Sequence, residues 1–449
     1  MTIQTYSCAL YSTRSAMPHV FSIRAKSIRK FVVSKFAVSI CLSFLVFFAG
    51  VTTRAAQAQT LSELEVTLQA HPQLQALRHQ SDANSELSEA ALGLPDPVIS
   101  FGINNLPFAN PSFSEFIPTN KSIGIAQRIP NIGGRKARSS EAKAQSDVLG
   151  LRHQQQLSLM RAQLVTLLLR RDQVQQQTSL AKKQDQKYTE LSDVVKSEVG
   201  AGRSVVFRLA EIERERAEVS TELVNLANEM TMIESGLRYL LGQVPNTKIQ
   251  PSSKPLPWSG NPKEFYSVAL AQAQMRILDY GVDEAKAAWK PEWGAQLRYQ
   301  QREAGANFGG DDFISAMVTV TVPFWSKRNQ KPRLRAANAR LEAAKSQYQE
   351  SIRQAEVRYI NLKSNYDAAK ATVGVLNEKM IAVNEEIESQ RINYESGQGF
   401  YSPVIDGEIL LIKFKSDAVK ERTRSEITAT QMAALLMSNA TANGSEVEK

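Results

Sequence analysis

The chain has 449 residues, of which 43% are hydrophobic and only 7% aromatic, with 22 Gly and 17 Pro, a balance that excludes a disordered, a collagen-like or a multi-span helical membrane chain. The formal net charge of +9 suggests nucleic acid until it is located: the first 58 residues hold seven Lys or Arg and no acid, which leaves 47 basic residues against 45 acidic ones. The surplus belongs to a leader, and no nucleic-acid partner is expected.

That leader reads as a secretory signal peptide. A basic stretch ends at Arg29, Lys30 and Lys35, an apolar run covers Phe36 to Val51, and Ala56-Gln57-Ala58 offers a cleavage site after Ala58. An apolar run of this length falls short of the roughly 20 residues a spanning helix needs. Ile40 precedes Cys41 where a lipid-attachment motif wants a small residue, so no lipid anchor is expected. Both cysteines, Cys8 and Cys41, lie in the leader, which excludes a disulfide scaffold and any Cys-ligated metal in the remainder.

Past the leader, a helical stretch ending in Glu89-Ala90-Ala91 gives way after Pro95-Asp96-Pro97 to alternation: Ile99, Phe101 and Ile103 against Ser100, Gly102 and Asn104, returned by Ile123 and Ile125 against Gly124 and Ala126. A Pro-free stretch from Asn131 to Val244 follows, broken only by Gly200-Ala201-Gly202. Gly133-Gly134 at its start reads as a strand-to-helix turn, not a phosphate loop. The same order then recurs. Trp293, Ala295, Leu297 and Tyr299 alternate with Gly294, Gln296, Arg298 and Gln300, and Val318, Val320 and Val322 alternate with Thr319 and Thr321. A second long helical stretch runs to Gly397-Gln398-Gly399. Pro95 and Pro291 are 196 positions apart, about half of the residues after the leader, so the chain reads as one module duplicated.

These spacings predict a leader at 1–58 and a first repeat at 59–255 with strands near 97–106 and 120–130. They further predict a second repeat at 256–440 with strands near 292–302 and 313–323, and a flexible tail at 441–449. The fold class is mainly α with a small β part. In the second long helix Leu362, Tyr366, Ala369, Val373, Leu376, Met380, Val383 and Ile387 recur at alternating steps of three and four, a 3.5-residue period that demands a partner helix. A stutter is expected near Ala355 to Tyr359. Helices over about 134–198 and 327–396 would each reach roughly 100 Å. The strands carry the period-two pattern of transmembrane β-strands, and four cannot close a barrel, so other copies must supply the rest. Val320→Asp on the lipid face is expected to cost about 2 kcal/mol, and Thr321→Asp much less. Trp293, Tyr299, Phe324 and Trp325 are candidates for a membrane-interface girdle; packing in a core is the competing role.

Leu68-Gln69-Ala70-His71-Pro72-Gln73-Leu74, the two hairpins and Tyr394-Glu395-Ser396-Gly397 together resemble the TolC-type outer membrane efflux proteins over nearly the whole chain after the leader. The resemblance implies a homotrimer whose strands form one twelve-stranded outer membrane β-barrel above a periplasmic α-helical barrel. It implies a passive duct for small solutes, working with a periplasmic adaptor (membrane fusion protein) and an inner membrane resistance-nodulation-division transporter, and in contact with outer membrane lipid. Met317 to Trp325 followed by Asn329-Gln330 is similar to members paired with heavy-metal exporters. Acidic residues two to three turns after the tyrosine-glycine motif ring the periplasmic end in that family, which makes Asp406 the candidate gate. Pro403 stands where the family often has a second acid, and Glu408 is a possible substitute. Asp406 near a helix start, with Pro403 in the first turn, equally fits an acid held by the helix dipole.

No enzyme, cofactor or metal site is expected. His71, His79 and His153 read as solvated surface residues without HExxH spacing, and there is no GxGxxG, Walker or GxSxG motif. A type I protein secretion duct of the same fold and a periplasmic coiled-coil adaptor are the alternative functions; the adaptor is disfavoured because the module is duplicated.

Overall fold

The computed structural model describes residues 60–202, 206–246 and 255–437. The expected leader, its cleavage after Ala58 and the tail at 441–449 lie outside the described residues. Helix α1 (Leu61–Gln69) starts on a reciprocal cap, with the Glu63 amide donating to Thr60 Oγ1 and the Thr60 amide to the Glu63 carboxylate. Helix α2 (Pro72–Ala90) follows at once. Pro72 needs no N–H partner in the first turn, and His71 Nδ1 accepts from the Gln73 amide at 3.3 Å. This corrects the expectation for His71: it is buried, capping α2 and meeting Tyr239 edge to face at 5.3 Å. His79 is exposed and His153 half-buried.

The chain then makes β1 (Val98–Asn104), β2 (Asn120–Ile129), α3 (Ile132–Gly200) and α4 (Phe207–Leu241), and, beyond a 3₁₀ turn at Pro262–Glu264, α5 (Tyr266–Ala287). Strands β3 (Glu292–Gln301) and β4 (Phe313–Thr321), the long α6 (Gln330–Glu395) and α7 (Ser402–Leu435) complete it. Asn131 caps α3, its Oδ1 accepting from the Gly134 amide at 2.7 Å, so Gly133-Gly134 form the first turn of the helix. The two long helices have 69 and 66 residues, roughly 100 Å each. Each ends on a left-handed glycine, Gly202 at φ 70° and Gly397 at φ 78°, the conformation that lets the chain turn back without a Cβ clash.

Helix α3 buries Val174, Gln177, Ala181, Gln184, Tyr188, Leu191 and Val195, alternating steps of three and four that define a coiled-coil seam. On α6 the buried residues from Ala355 to Ile387 keep the same period. The stutter falls between Ala344 and Ala355, slightly earlier than expected, as an eleven-residue step. Helix α3 packs against α2, α4, α5 and α7, and α6 against α5 and α7. One cluster joins Leu64, Leu68 and Leu74 to the α3 and α4 seams and to Ile405 and Ile409. A second gathers Phe265, Tyr359, Met432 and Leu436, where the Tyr359 hydroxyl donates to the Leu256 carbonyl at 3.1 Å. No strand residue belongs to any of the described core clusters. The strands instead form one antiparallel sheet in the order β1-β2-β3-β4.

Candidate functional site

Two regions carry chemistry: the sheet, and the helix returns at the opposite end of α3 and α6. In the sheet, register decides which side chains share a face. Ile99 lies opposite Ile125, Ile125 opposite Leu297, and Leu297 opposite Ala316; Phe101, Ile123, Tyr299 and Ile314 form the next row. All these fall on one face. The other face carries Ser100, Gly124, Arg298 and Ser315 in one row and Gly102, Ser122, Gln300 and Phe313 in the next. The apolar face is the more exposed of the two: along β3 the odd-numbered residues are exposed and the even-numbered ones partly covered. A water-soluble sheet buries its apolar face; this one turns it outward, with Phe101 at 79% and Ile314 at 75% exposure. Strands β1 and β4 are open edges.

The four candidate girdle aromatics separate into two levels. Trp293, the second residue of β3, lies opposite Val320 and beside Ile129, and Phe324 and Trp325, each 83% exposed, follow β4, so these three lie at the end of the sheet nearest the helices. Tyr299 is six residues further along β3, about 20 Å away, where its hydroxyl bonds the Asp312 carboxylate. The same register corrects the depth assumed for Val320. Opposite Trp293 it sits near the rim of the sheet, and the residues at mid-height are Ile125, Leu297 and Ala316. An Asp at 320 is therefore expected to cost only about 0–1 kcal/mol, as at an interface.

At the helix returns, Asp406 lies in the first turns of α7 and is not a free carboxylate. Arg208, near the start of α4, donates from Nη2 to both Asp406 oxygens, at 2.8 and 2.7 Å, and from Nη1 to Glu211 at 2.7 Å. Lys187 on α3 joins Glu190 at 2.8 Å to Glu408 at 2.7 Å. Arg391 on α6 approaches Glu408 at 3.9 Å. Lys413 stands 3.7 Å from Glu215, which accepts from the Tyr188 hydroxyl at 3.2 Å. These contacts tie α7 to α3 and α4 around a cavity of about 240 Å³ lined by Tyr188, Arg208, Glu211, Glu215, Asp406 and Lys413. Burial pushes the Asp406 carboxyl above the usual carboxylate range against the pull of Arg208, and Glu211 and Glu198 add to the upward push. Hydrogen bonds from Lys187 to Glu190 and Glu408 hold its ammonium above the ordinary lysine value.

The family resemblance singled out Asp406, but nothing in the sequence pointed to Arg208, 198 positions away. Gln177 and Gln184 were equally invisible as seam residues because amides in a helix read as surface. Among the described residues no group of His, Cys, Asp and Glu is arranged to hold a metal ion, and no helix is long and apolar enough to cross a membrane.

Comparison with protein-family models gives no match, and comparison with curated protein sequences gives none. Comparison with solved structures does. CusC, described as forming a transmembrane channel, superposes with a TM-score of 0.70 at 13% identity over 84% of this chain and 91% of its own. The outer membrane protein VceC of Vibrio cholerae gives 0.68 at 14% identity, over 85% of this chain and 97% of its own. The open-state outer membrane channel MtrE of Neisseria gonorrhoeae gives 0.63 at 15%, over 84% and 88%. The chain thus has the fold of the TolC-type outer membrane channels, as its motifs led one to expect.

Proposed function

We propose that the chain is one subunit of a passive, trimeric outer membrane duct that carries small solutes from the periplasm to the outside. In this reading three sheets close one barrel, a periplasmic adaptor docks on the helical end, and an inner membrane transporter of the resistance-nodulation-division class supplies the energy. The observation that carries it is the sheet whose apolar face is outward and whose two edges are unpaired, standing on helices of roughly 100 Å. In lipid each unpaired backbone group costs several kcal/mol, so such a sheet is stable there only when its edges pair with other copies. The repeated order of elements supports reading the chain as one module used twice. The absence of any catalytic motif in the sequence agrees with a duct, whose work is passage and not chemistry.

Native mass spectrometry in detergent is expected to give a trimer, and planar bilayers containing it are expected to conduct. A stable monomer, or a trimer without conductance, would overturn the reading.

Within the duct, the Arg208–Asp406 pair acts as a reversible closing contact between α4 and α7. A partly exposed ion pair of this kind contributes about 0–1 kcal/mol, enough to bias an opening but not to forbid it. Its pH dependence has a definite sign. Because the folded-state pKa of Asp406 is raised, the folded subunit takes up that proton at a higher pH than the unfolded chain. This group's stabilising contribution is therefore fully present below the unfolded pKa and is lost as pH rises through the folded one. Acidification should thus neutralise Asp406 and release Arg208 without unfolding the subunit. Conductance is expected to rise on acidification in the wild type and to be high and nearly flat in Asp406→Asn. Superimposable pH profiles would remove Asp406 from the gate.

A further inference from the structure

The polar face of the sheet carries three formal charges, and two cancel. Arg128 Nη2 donates to Glu292 at 2.9 Å near the helical rim. The third, Arg298, stands at mid-height. Its row is otherwise Ser100, Gly124 and Ser315, three small residues beside which it is the one long side chain. Among the described residues no carboxylate lies within ion-pairing distance of it. The edges bring no acid either, since β1 presents Ser100, Gly102 and Asn104 on this face and β4 presents Phe313, Ser315, Met317, Thr319 and Thr321. Edge-to-edge closure with further copies therefore adds more Arg298 and no acid on the strands that is not already paired with Arg128.

Resting on the duct reading, we propose that Arg298 is a selectivity residue: its copies ring the barrel at mid-height and make that level favour anionic over cationic solutes of the same size. Twelve tilted strands spaced about 4.8 Å apart enclose about 24 Å between backbones. An arginine reaches inward about 7 Å, so the axis lies about 5 Å from each guanidinium, well inside the roughly 10 Å Debye length of about 0.1 M salt. A bare metal cation crosses this level against the field; a carboxylate or phosphate crosses with it.

The test reads the local potential and does not depend on whether the periplasmic end is open. Both natural cysteines lie before residue 59, and the unsubstituted chain provides the background. Ser315→Cys places a thiol on the polar face about 5 Å along the ladder from Arg298; Ile314→Cys places one on the opposite face. The full chain, reconstituted in phosphatidylcholine vesicles at about 10 mM salt, is treated with anionic and cationic methanethiosulfonates of similar size. Ser315→Cys is expected to react with both, with the anionic reagent favoured about fivefold relative to the same variant carrying Arg298→Gln. Arg298→Lys should keep the preference, and raising the salt to about 1 M should erase it without any change of side chain. A ratio insensitive to both Arg298→Gln and salt would overturn the assignment while leaving the duct intact. Labelling of Ile314→Cys as fast as Ser315→Cys would overturn the duct reading itself, and the selectivity ring with it.

Discussion

Replacing Leu297 by Arg is expected to cost roughly 2–4 kcal/mol per subunit on folding into lipid, while Gln296→Arg, one residue away, should stay within about 0.5 kcal/mol of the wild type. Leu297 lies between Ile125 and Ala316 at mid-height on the apolar face. A guanidinium there must leave water for hydrocarbon or drag water in with it. Gln296 faces Ala126 and Met317 on the polar side, where a cation keeps its hydration. A sheet that packed against protein, or that faced water on both sides, would not separate neighbouring residues in this way. Urea titration of the protein refolded in vesicles measures the two costs. Equal costs would place lipid on neither face.

The second large effect concerns the helical part. Leu191 is 0% exposed on the α3 seam, within the cluster that includes Ile212 and Ile405, so Leu191→Ala should destabilise the subunit by roughly 2–5 kcal/mol through lost burial and a residual cavity. Val375→Ala on α6, where the side chain is 50% exposed, should change an isolated subunit by less than about 0.5 kcal/mol. Thermal unfolding of the detergent-solubilised protein compares the two directly. A loss at Val375 as large as that at Leu191 would identify its face of α6 as a contact between copies; a Leu191→Ala protein as stable as the wild type would remove α3's seam from the core.

Much of this was legible in the residues because the two periodicities are local. Alternation in Gly294 to Gln300 and the three-four spacing from Leu362 to Ile387 each follow from side-chain geometry within one element, and both elements form where the spacing puts them. What was not legible depends on who sits opposite. Val320 reads as a generic apolar strand residue until its pairing with Trp293 shows it to be at the rim. The four aromatics look like one set in sequence, yet the length of β3 separates Tyr299 from the others. His71 looked solvated because its neighbours are polar, but the immediate restart of the chain as α2 turns it inward against Tyr239. Asp406 was legible as an acid near a helix start. Its partner Arg208 belongs to the other half of the chain, and only packing brings the two together.

The order of strands has a kinetic consequence. The β1–β2 and β3–β4 ladders join strands separated by one loop each, whereas β2 meets β3 only after all of α3, α4 and α5 has been traversed. Short closures form quickly and long ones wait, since the entropy of bringing distant segments together is spent before any pairing returns it. Two separate hairpins should therefore appear early, each with an apolar side and an unsatisfied edge, while the central ladder forms only once the long helices have folded and brought the hairpins side by side. Until then the chain carries two short aggregation-prone ribbons through water, and the slowest resolved step in refolding should be the appearance of the Ile125–Leu297 pairing.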